Sequence, residues 1–318
     1  MNKVKSYLSL IKFSHTIFAM PFAMIGFFIA ISETNGLWAE IDFSLPYSGH
    51  IVKPAKFGRD YFDPHVLKPM LLKLLLVVLC MIFARSAAMS FNRYLDRKFD
   101  AANPRTAIRE IPRGIISANN ALIFTFVNCL FFIVCAFFIN HLCFYLSPVA
   151  LAVVLGYSYT KRFTAFCHLV LGLGLSLAPI GAFIAVTGMF DLLPILFSIT
   201  VIFWVSGFDI IYALQDEEFD KSQKLYSMPA WLGKANALKI SRLFHLLSAG
   251  AVVAAGFIGA FGLLYWIGAT IFSGMLIYQH SLVKPTDLKR VNLAFMTANG
   301  IASVVFAIFV IADLFTSS

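Results

Sequence analysis

The stretch NRYLDRKFD carries polar residues at four-residue intervals. Asn92, Asp96 and Asp100 occupy positions i, i+4 and i+8, which on an α-helix places them within about 80° of one another. Arg85, seven residues before Asn92, falls within about 20° of it by the same geometry. The stretch therefore predicts one helical face that carries two carboxylates, an amide and a guanidinium.

A second acidic stretch, DIIYALQDEEFD, begins at residue 209. Asp209, Asp216 and Asp220 are separated by seven and four residues, and on a helix these steps give a stripe about 40° wide. Tyr212 belongs to the same stretch. Carboxylates grouped on one face repel one another, most strongly at the edge of a membrane. Each stretch therefore indicates a bound cation.

The ligand chemistry of both stretches suits Mg²⁺, which takes carboxylate and amide oxygens together with water and phosphate oxygens. No histidine or cysteine stands at metal-ligand spacing with these acids, which argues against zinc. The alternative is that each stretch is a solvated acidic end of a helix. The presence of two matched stretches favours Mg²⁺.

Basic residues alternate with the acids along the chain. Arginine side chains fork onto phosphate oxygens, so these residues could neutralise a diphosphate beside Mg²⁺. The alternative is that they mark the cytoplasmic side of a membrane protein and bind no ligand. The candidates for diphosphate binding are Arg85, Arg105, Arg109, Lys161 and Arg162.

The composition shows which elements must position these groups. Of 318 residues, 60% are hydrophobic and only 13% are charged, whereas a soluble domain has roughly a quarter charged. Segments of about 20 apolar residues span a bilayer, so the predicted fold is all-α: a polytopic membrane protein with nine transmembrane helices. The predicted spans are residues 13–31, 70–91, 119–139, 141–158, 166–187, 190–211, 242–263, 264–281 and 293–314.

Lysine and arginine are distributed unequally between alternate gaps. Twenty fall in the N-terminus and the gaps on its side, and the opposite side has four or five. This asymmetry predicts a cytoplasmic N-terminus and an extracytoplasmic C-terminus, and the protein is expected in the inner (cytoplasmic) membrane of the cell. The net charge of +9 is explained by these cytoplasmic gaps, so no nucleic-acid partner is expected.

The spans are separated mostly by short connections, so residues 1–318 are expected to form a single membrane-embedded domain. The exception is residues 32–69, predicted to be a long extracytoplasmic loop. The first span lacks a convincing cleavage site and is long for a signal peptide, so it is expected to be retained.

Both motifs together resemble the UbiA superfamily of intramembrane prenyltransferases. The carrying segments are RSAAMSFNRYLDRKFDAANPRT (residues 85–106) and YALQDEEFD (residues 212–220). They are most similar to the 4-hydroxybenzoate polyprenyltransferase branch, and the similarity covers nearly the whole chain. The resemblance implies a helical bundle around a central cavity that opens to lipid.

The resemblance also implies roles for individual residues. Arg85, Arg109 and Lys161 would bind the diphosphate of a polyprenyl diphosphate, Tyr212 would line the pocket, and Asp209 would orient an aromatic acid acceptor. One Mg²⁺ would be held by Asn92, Asp96 and Asp100, and another by Asp216 and Asp220.

The acceptor remains open between two classes. The second motif favours a 4-hydroxybenzoate-like acid in quinone biosynthesis. The segment REIPRG at residues 109–114 instead resembles relatives that act on a naphthoate-type acceptor in menaquinone formation. The family often has aspartate directly after the first-motif asparagine, whereas this chain has Arg93, so its first metal site would have fewer carboxylates.

A non-enzymatic alternative is a cation-coupled transporter whose acids bind the coupling ion. That function predicts acids near mid-membrane on broken helices. In this sequence, Asp96, Asp100, Asp216 and Asp220 follow the cytoplasmic ends of predicted spans, which favours the prenyltransferase.

The charge asymmetry predicts the membrane topology. Reporter proteins fused after residues 115 and 315 should report opposite sides of the membrane, because seven predicted spans separate these positions. Fusions that report the same side would contradict this topology.

Overall fold

The computed structural model describes residues 3–11, 18–33 and 64–316. Most of the predicted extracytoplasmic loop, residues 34–63, and the start of the first predicted span lie outside these ranges. The described chain is helical, with one isolated β-bridge between Lys284 and Asp287. The all-α prediction is therefore confirmed. The helices are α1 Lys3–Leu10, α2 Met20–Glu33, α3 Pro64–Leu95, α4 Arg97–Ala102, α5 Ala118–Ile139, α6 His141–Thr160, α7 Cys167–Thr187, α8 Leu192–Ala213, α9 Glu217–Ser222, α10 Met228–Ile258, α11 Leu263–Leu282 and α12 Asn299–Thr316.

Each of the nine predicted spans contains a described helix, and seven helical segments are long and apolar enough to cross a membrane. The other two spans correspond to α2 and α11. The described part of α2 has 14 residues, about 21 Å of helix, which is less than the thickness of a hydrocarbon core. Helix α11 has 20 residues but includes Gln279 and His280. The chain is a multi-pass membrane protein, and the number nine stays a prediction.

The helices pack around an aromatic core. Helix α8 lies between α7 and α10, while α2 packs on α7 and α12. Phe22, Trp204, Phe272 and Phe306 are fully buried where α2, α8, α11 and α12 meet. Other phenylalanines, such as Phe126 and Phe257, are exposed on the outer surface, as expected for side chains in contact with lipid.

Helix α10 begins closer to the site than the apolar pattern indicated. The predicted span starts at residue 242, whereas α10 starts at Met228. The Ser227 hydroxyl accepts a hydrogen bond from the Ala230 amide at 3.3 Å and so caps the helix. Gly233 then interrupts the helical geometry at φ 75°, a conformation that glycine adopts without a steric penalty. The early start brings the N-terminus of α10 against α7.

The contact between α2 and α7 depends on a glycine. A Cβ atom on Gly26 would lie 2.0 Å from the carbonyl oxygen of Pro179, so only glycine permits this approach. Gly26→Ala should destabilise the protein by about 1–3 kcal/mol, since backbone must move to accommodate the methyl group. Thermal unfolding in detergent measures the effect. Gly250→Ala is the matched control, because no heavy atom lies within 4 Å of its Cβ position. Equal melting temperatures for the two variants would contradict the packing argument.

Candidate active site

Both acidic motifs interrupt their helices at the central aspartate. Helix α3 ends at Leu95, and Asp96 has φ −87° and ψ 4°. Helix α8 ends at Ala213, a 3-10 turn follows, and Asp216 has φ −103° and ψ 5°. This region of backbone space is sparsely populated but common among active-site residues. The expectation of a regular helix through each motif was therefore wrong.

The two breaks have the same consequence. Each starts a six-residue helix, α4 or α9, that carries the last acid of its motif. Asp100 and Asp220 are buried on these short helices, with exposures of 6% and 0%. The acids therefore lie inside the protein and are not the solvated helix ends of the alternative interpretation.

All predicted site residues line a single cavity of about 290 Å³. The two motifs, which are more than a hundred residues apart in sequence, are thus brought together in space. The cavity-lining candidates are Arg85, Asn92, Asp96, Asp100, Arg105, Arg109, Lys161, Arg162, Asp209, Tyr212, Asp216 and Asp220.

Four acids and four bases form ion pairs in this cavity. Each pair joins different segments of the chain, with nitrogen–oxygen distances between 2.5 and 2.8 Å. Because each acid faces a base, part of the electrostatic cost of burying its charge is offset. The pairs are Asp96–Arg162, Asp100–Arg109, Asp216–Arg105 and Asp220–Lys161.

The pairing shows how closely the motifs approach. Lys161 and Arg162 are adjacent, yet Lys161 contacts Asp220 of the second motif and Arg162 contacts Asp96 of the first. Asn103, which follows the first motif, donates a hydrogen bond to Asp216 Oδ1 at 3.3 Å. The α6–α7 connection and the segment after α4 therefore bridge the two motifs.

Burial and the neighbouring charges shift the pKa values of Asp96 and Lys161. Burial raises the pKa of the Asp96 carboxyl, and the adjacent Arg162 offsets this effect only in part. Burial lowers the pKa of Lys161, but the Asp220 carboxylate outweighs it and the net pKa is raised. An ionised Asp96 would gain stability from a nearby cation, while Lys161 stays protonated for a phosphate.

The oxygens of the first motif fit a magnesium ion. Asn92 donates to Asp96 Oδ2 at 3.1 Å, so an amide and a carboxylate group are already adjacent. Asp100 Oδ2 is buried and has no hydrogen-bond partner among the described residues. A hard cation would satisfy that orphan oxygen. No ready-made group of three acidic, histidine or cysteine ligands is present in the described ranges, so phosphate and water oxygens would have to complete the coordination.

Arg93, which the sequence analysis treated only as the absence of an acid, is itself a residue of the site. Its Nη1 lies 3.9 Å from Asp100 Oδ2, and both side chains are buried. Arg93 therefore adds positive charge to the cavity beside Asp100. The signal was available, because Arg93 directly follows Asn92 in the motif.

His168 is a site residue that sequence reasoning missed. It lies in the first turn of α7, lines the cavity, and places Nδ1 2.7 Å from Asp209 Oδ2. The sequence offered only a single histidine inside an apolar span, and nothing in its spacing connects it to Asp209, 41 residues later.

Two further predicted residues have distinct surroundings. Tyr212 accepts a hydrogen bond from Arg105 Nη1 at 3.2 Å, and its ring packs on Phe295 with centroids 4.3 Å apart. Arg85 has a buried Nε with no hydrogen-bond partner and forms no ion pair within the described part of the chain. Its guanidinium is thus the one predicted diphosphate ligand without an observed ion pair.

A second cavity, of about 330 Å³, adjoins the first. Its walls are almost entirely apolar and come mainly from α3, α5, α6 and α7. A polar cavity that continues into an apolar one fits an amphiphile with a charged head and a long hydrocarbon tail. The residues shared by both cavities are Arg85, Met89, Tyr157, Leu171 and Leu175.

The fold and the first cavity define an α-helical membrane protein with a buried site of acids and bases beside an apolar cavity. Residues 64–301 match the UbiA prenyltransferase family, and the chain belongs to this family. Family membership makes the protein a prenyltransferase and sets aside the transporter alternative.

Two curated relatives are both named 4-hydroxybenzoate octaprenyltransferase. The protein from Paraburkholderia phymatum is 32% identical over 74% of this chain and 81% of its own length. The protein from Nitrosospira multiformis is 30% identical over 74% of this chain and 80% of its own length.

Solved structures show the same fold. The apo structure of a UbiA homologue from Aeropyrum pernix K1 aligns with a TM-score of 0.72 at 24% identity, covering 95% of this chain and 98% of its own. A UbiA homologue from Archaeoglobus fulgidus bound to GPP and Mg²⁺ aligns with a TM-score of 0.63 at 19% identity, covering 97% and 99%.

The second motif offers a matched pair of acids for mutation. Asp216 lines the cavity, whereas Glu218, two residues later, is exposed and does not. Asp216→Ala should lower prenyl transfer about 10²- to 10³-fold, as expected when a group that organises charge in the transition state is lost. Glu218→Ala should retain nearly full activity. Product formation in membranes with equal protein content measures both, and equal losses would mean that Asp216 has no special role.

Proposed function

We propose that the protein transfers a polyprenyl group from a polyprenyl diphosphate to the ring of an aromatic acid of the 4-hydroxybenzoate type, in quinone biosynthesis. The main support is the cavity that contains the four acid–base pairs and continues into the apolar second cavity. The names of the relatives support the aromatic acceptor. The homologue bound to GPP and Mg²⁺ supports a metal-dependent prenyl diphosphate site.

The acids of both motifs would hold Mg²⁺ as the cofactor. When bound, Mg²⁺ would offset the negative charge that develops on the departing diphosphate. The bases that now face the acids would donate to phosphate oxygens. The proposed metal ligands are Asn92, Asp96, Asp100, Asp216 and Asp220, and the proposed diphosphate ligands are Arg105, Arg109, Lys161 and Arg162.

The ion pairs suggest how the site accepts this charged substrate. Asp96, Asp100, Asp216 and Asp220 each lie at hydrogen-bond distance from a base. A metal diphosphate carries both signs of charge, so it can take both partners of a pair while the net charge of the cavity changes little. An anion or cation alone would leave one partner buried and uncompensated. We therefore propose that metal and diphosphate favour each other's binding.

We assign Arg85 a different role from the predicted diphosphate binding. It precedes Asn92 by two helical turns on α3 and lines both cavities. An arginine without an ion pair at this position suits a carboxylate, which its guanidinium can bind with two parallel hydrogen bonds. We propose that Arg85 binds the carboxylate of the aromatic acid and that Asp209 accepts a hydrogen bond from its ring hydroxyl.

The reaction follows from these positions. The allylic C–O bond breaks, and its electron pair leaves with the diphosphate, where Arg109 and Lys161 are among the donors that stabilise it. The apolar walls keep water from the allylic cation. A π-electron pair of the acceptor ring forms the new C–C bond. The same ring carbon then loses its proton, and the released diphosphate and the Asp209 carboxylate are the bases proposed to accept it.

We propose that the whole chain forms one domain in a bacterial inner membrane, with the N-terminus cytoplasmic and the C-terminus extracytoplasmic. The bacterial sources of the relatives support the inner membrane, and the charge asymmetry of the sequence supports the orientation. In it, both motifs open toward the cytoplasm, where a water-soluble aromatic acid is available, while the prenyl tail stays in lipid.

A naphthoate-type acceptor is the second candidate. It is favoured by the segment REIPRG at residues 109–114. Arg109 of this segment contacts Asp100, so the segment forms part of the cavity wall. Both acceptor classes carry a carboxylate and a ring hydroxyl, and the proposed roles of Arg85 and Asp209 serve either.

Arg85→Gln tests both the acceptor class and the revised role. Membranes are given a prenyl diphosphate with 4-hydroxybenzoate, a dihydroxynaphthoate, or phenols without a carboxylate, and products are identified by mass spectrometry. The wild type should prenylate an aromatic acid in preference to the neutral phenols. Arg85→Gln should raise the KM for that acid about 10-fold or more, as expected for loss of a charged hydrogen bond of about 1.5–3 kcal/mol. The KM for prenyl diphosphate should stay nearly unchanged.

Arg97→Gln is the control, because Arg97 lies on α4 outside the cavity and donates to the Tyr94 carbonyl. A raised KM for prenyl diphosphate in Arg85→Gln would show that Arg85 binds diphosphate after all. The absence of a product with every aromatic acid would contradict the proposed function.

A further inference from the structure

The ring of His168 is held from both of its nitrogens. Nδ1 lies 2.7 Å from Asp209 Oδ2, and Nε2 accepts a hydrogen bond from the Met228 amide at 3.3 Å. The histidine is only 3% exposed, so few of its ring atoms reach the cavity. The ring therefore connects the start of α10 to the carboxylate on α8.

These two contacts specify the tautomer. A backbone N–H can only donate, so Nε2 must carry a lone pair and the ring proton must reside on Nδ1. Met228 is the first residue of α10, and amides at a helix N-terminus lack intrahelical partners and carry partial positive charge. A second proton on the ring would point at that N–H. In this tautomer, the imidazole donates Nδ1–H to Asp209.

The backbone of His168 is held as well. The Ser206 hydroxyl of α8 lies 3.0 Å from the His168 carbonyl oxygen and 2.6 Å from the Ile202 carbonyl oxygen, so the two carbonyls share its single proton. A Cβ on the nearby Gly172 would lie 2.4 Å from the Ile202 carbonyl oxygen, so α7 and α8 are in close contact here. His168 cannot shift along α7, and its ring direction is set by three helices.

The carboxylate that His168 contacts is the more accessible partner. The Asp209 side chain is 25% exposed, compared with 4% for His168. The imidazole binds Oδ2, and Asp209 lines the cavity, so Oδ1 is the oxygen left for a ligand. His168 thus fixes the orientation of the carboxylate through Oδ2, and Oδ1 can accept a hydrogen bond from a ligand.

The same helix start also reaches the metal-binding half of the site. Ser227, the residue before Met228, donates its hydroxyl to Asp220 Oδ2 at 2.8 Å. Two consecutive residues therefore contact an acid of the diphosphate region and, through His168, the acid proposed for the acceptor. The start of α10 therefore links Asp220 and Asp209, the acids on the diphosphate side and the acceptor side of the cavity.

We propose that His168 is a positioning residue that orients Asp209 toward the ring hydroxyl of the acceptor and so selects hydroxylated rings. This inference rests on the proposed function. A hydroxyl that donates to an oriented carboxylate releases more electron density into the ring, which favours attack on the allylic cation. The imidazole itself does not touch the substrate.

Three variants test the role of His168. In His168→Ala, the acceptor KM should rise and kcat/KM for the acceptor should fall about 10- to 100-fold, the range for partners that orient a functional group. The KM for prenyl diphosphate should stay unchanged. His168→Gln should recover most of the loss, because the glutamine amide can donate to Asp209 and accept from Met228. The preference for a hydroxylated over a methoxylated acceptor should shrink in the alanine variant and return in the glutamine variant.

The double variant His168→Ala/Asp209→Ala separates positioning from general stability. If His168 acts through Asp209, the double variant should be no slower than Asp209→Ala alone. Losses that multiply, or a parallel rise of both KM values with a lower melting temperature, would overturn the proposal. So would wild-type kinetics in His168→Ala.

The wild-type measurement separates the test of His168 from the test of the proposed function. If the wild type prenylates no hydroxylated aromatic acid, the proposed function fails. If it does, and His168→Ala matches it, the role of His168 alone fails.

Discussion

The site depends on the cost of placing carboxylates where lipid and protein replace water. An isolated buried charge is expensive, and a buried charge with a close opposite partner is tolerated. Asp96, Asp100, Asp216 and Asp220 each have such a partner. The pairs place acidic and basic groups side by side, which suits a substrate that combines an anion with a cation.

The same pairs involve the short helices that follow the breaks in α3 and α8. The turns at Asp96 and Asp216 start short helices that direct Asp100 and Asp220 inward. Arg109, on a segment that follows α4, and Lys161, after α6, then meet these acids. The irregular backbone lies at the ends of long helices, where polar groups from the connections can satisfy it.

Much of the fold could be predicted because lipid imposes a simple rule. Every apolar stretch of spanning length became a helix, since a chain in hydrocarbon must satisfy its own backbone hydrogen bonds. Boundaries were less predictable. Helix α10 begins 14 residues before its predicted span, because its start depends on the Ser227 cap and on contacts of Ser227 and Met228 with α7 and α9. Apolar patterning does not record such contacts.

The sequence by itself determined the class of the site. Residue type and spacing, which are local properties of the chain, were enough to predict a cation site at Asp96, Asp100, Asp216 and Asp220. Tertiary structure decided the partners. Side chains from different helices meet in one cavity, and this decides which groups pair. Arg162 pairs with Asp96, and His168 contacts Asp209. Arg85 has no carboxylate partner among the described residues. Such meetings arise from helix packing, in which residues distant in sequence become neighbours, so no single stretch of sequence encodes them.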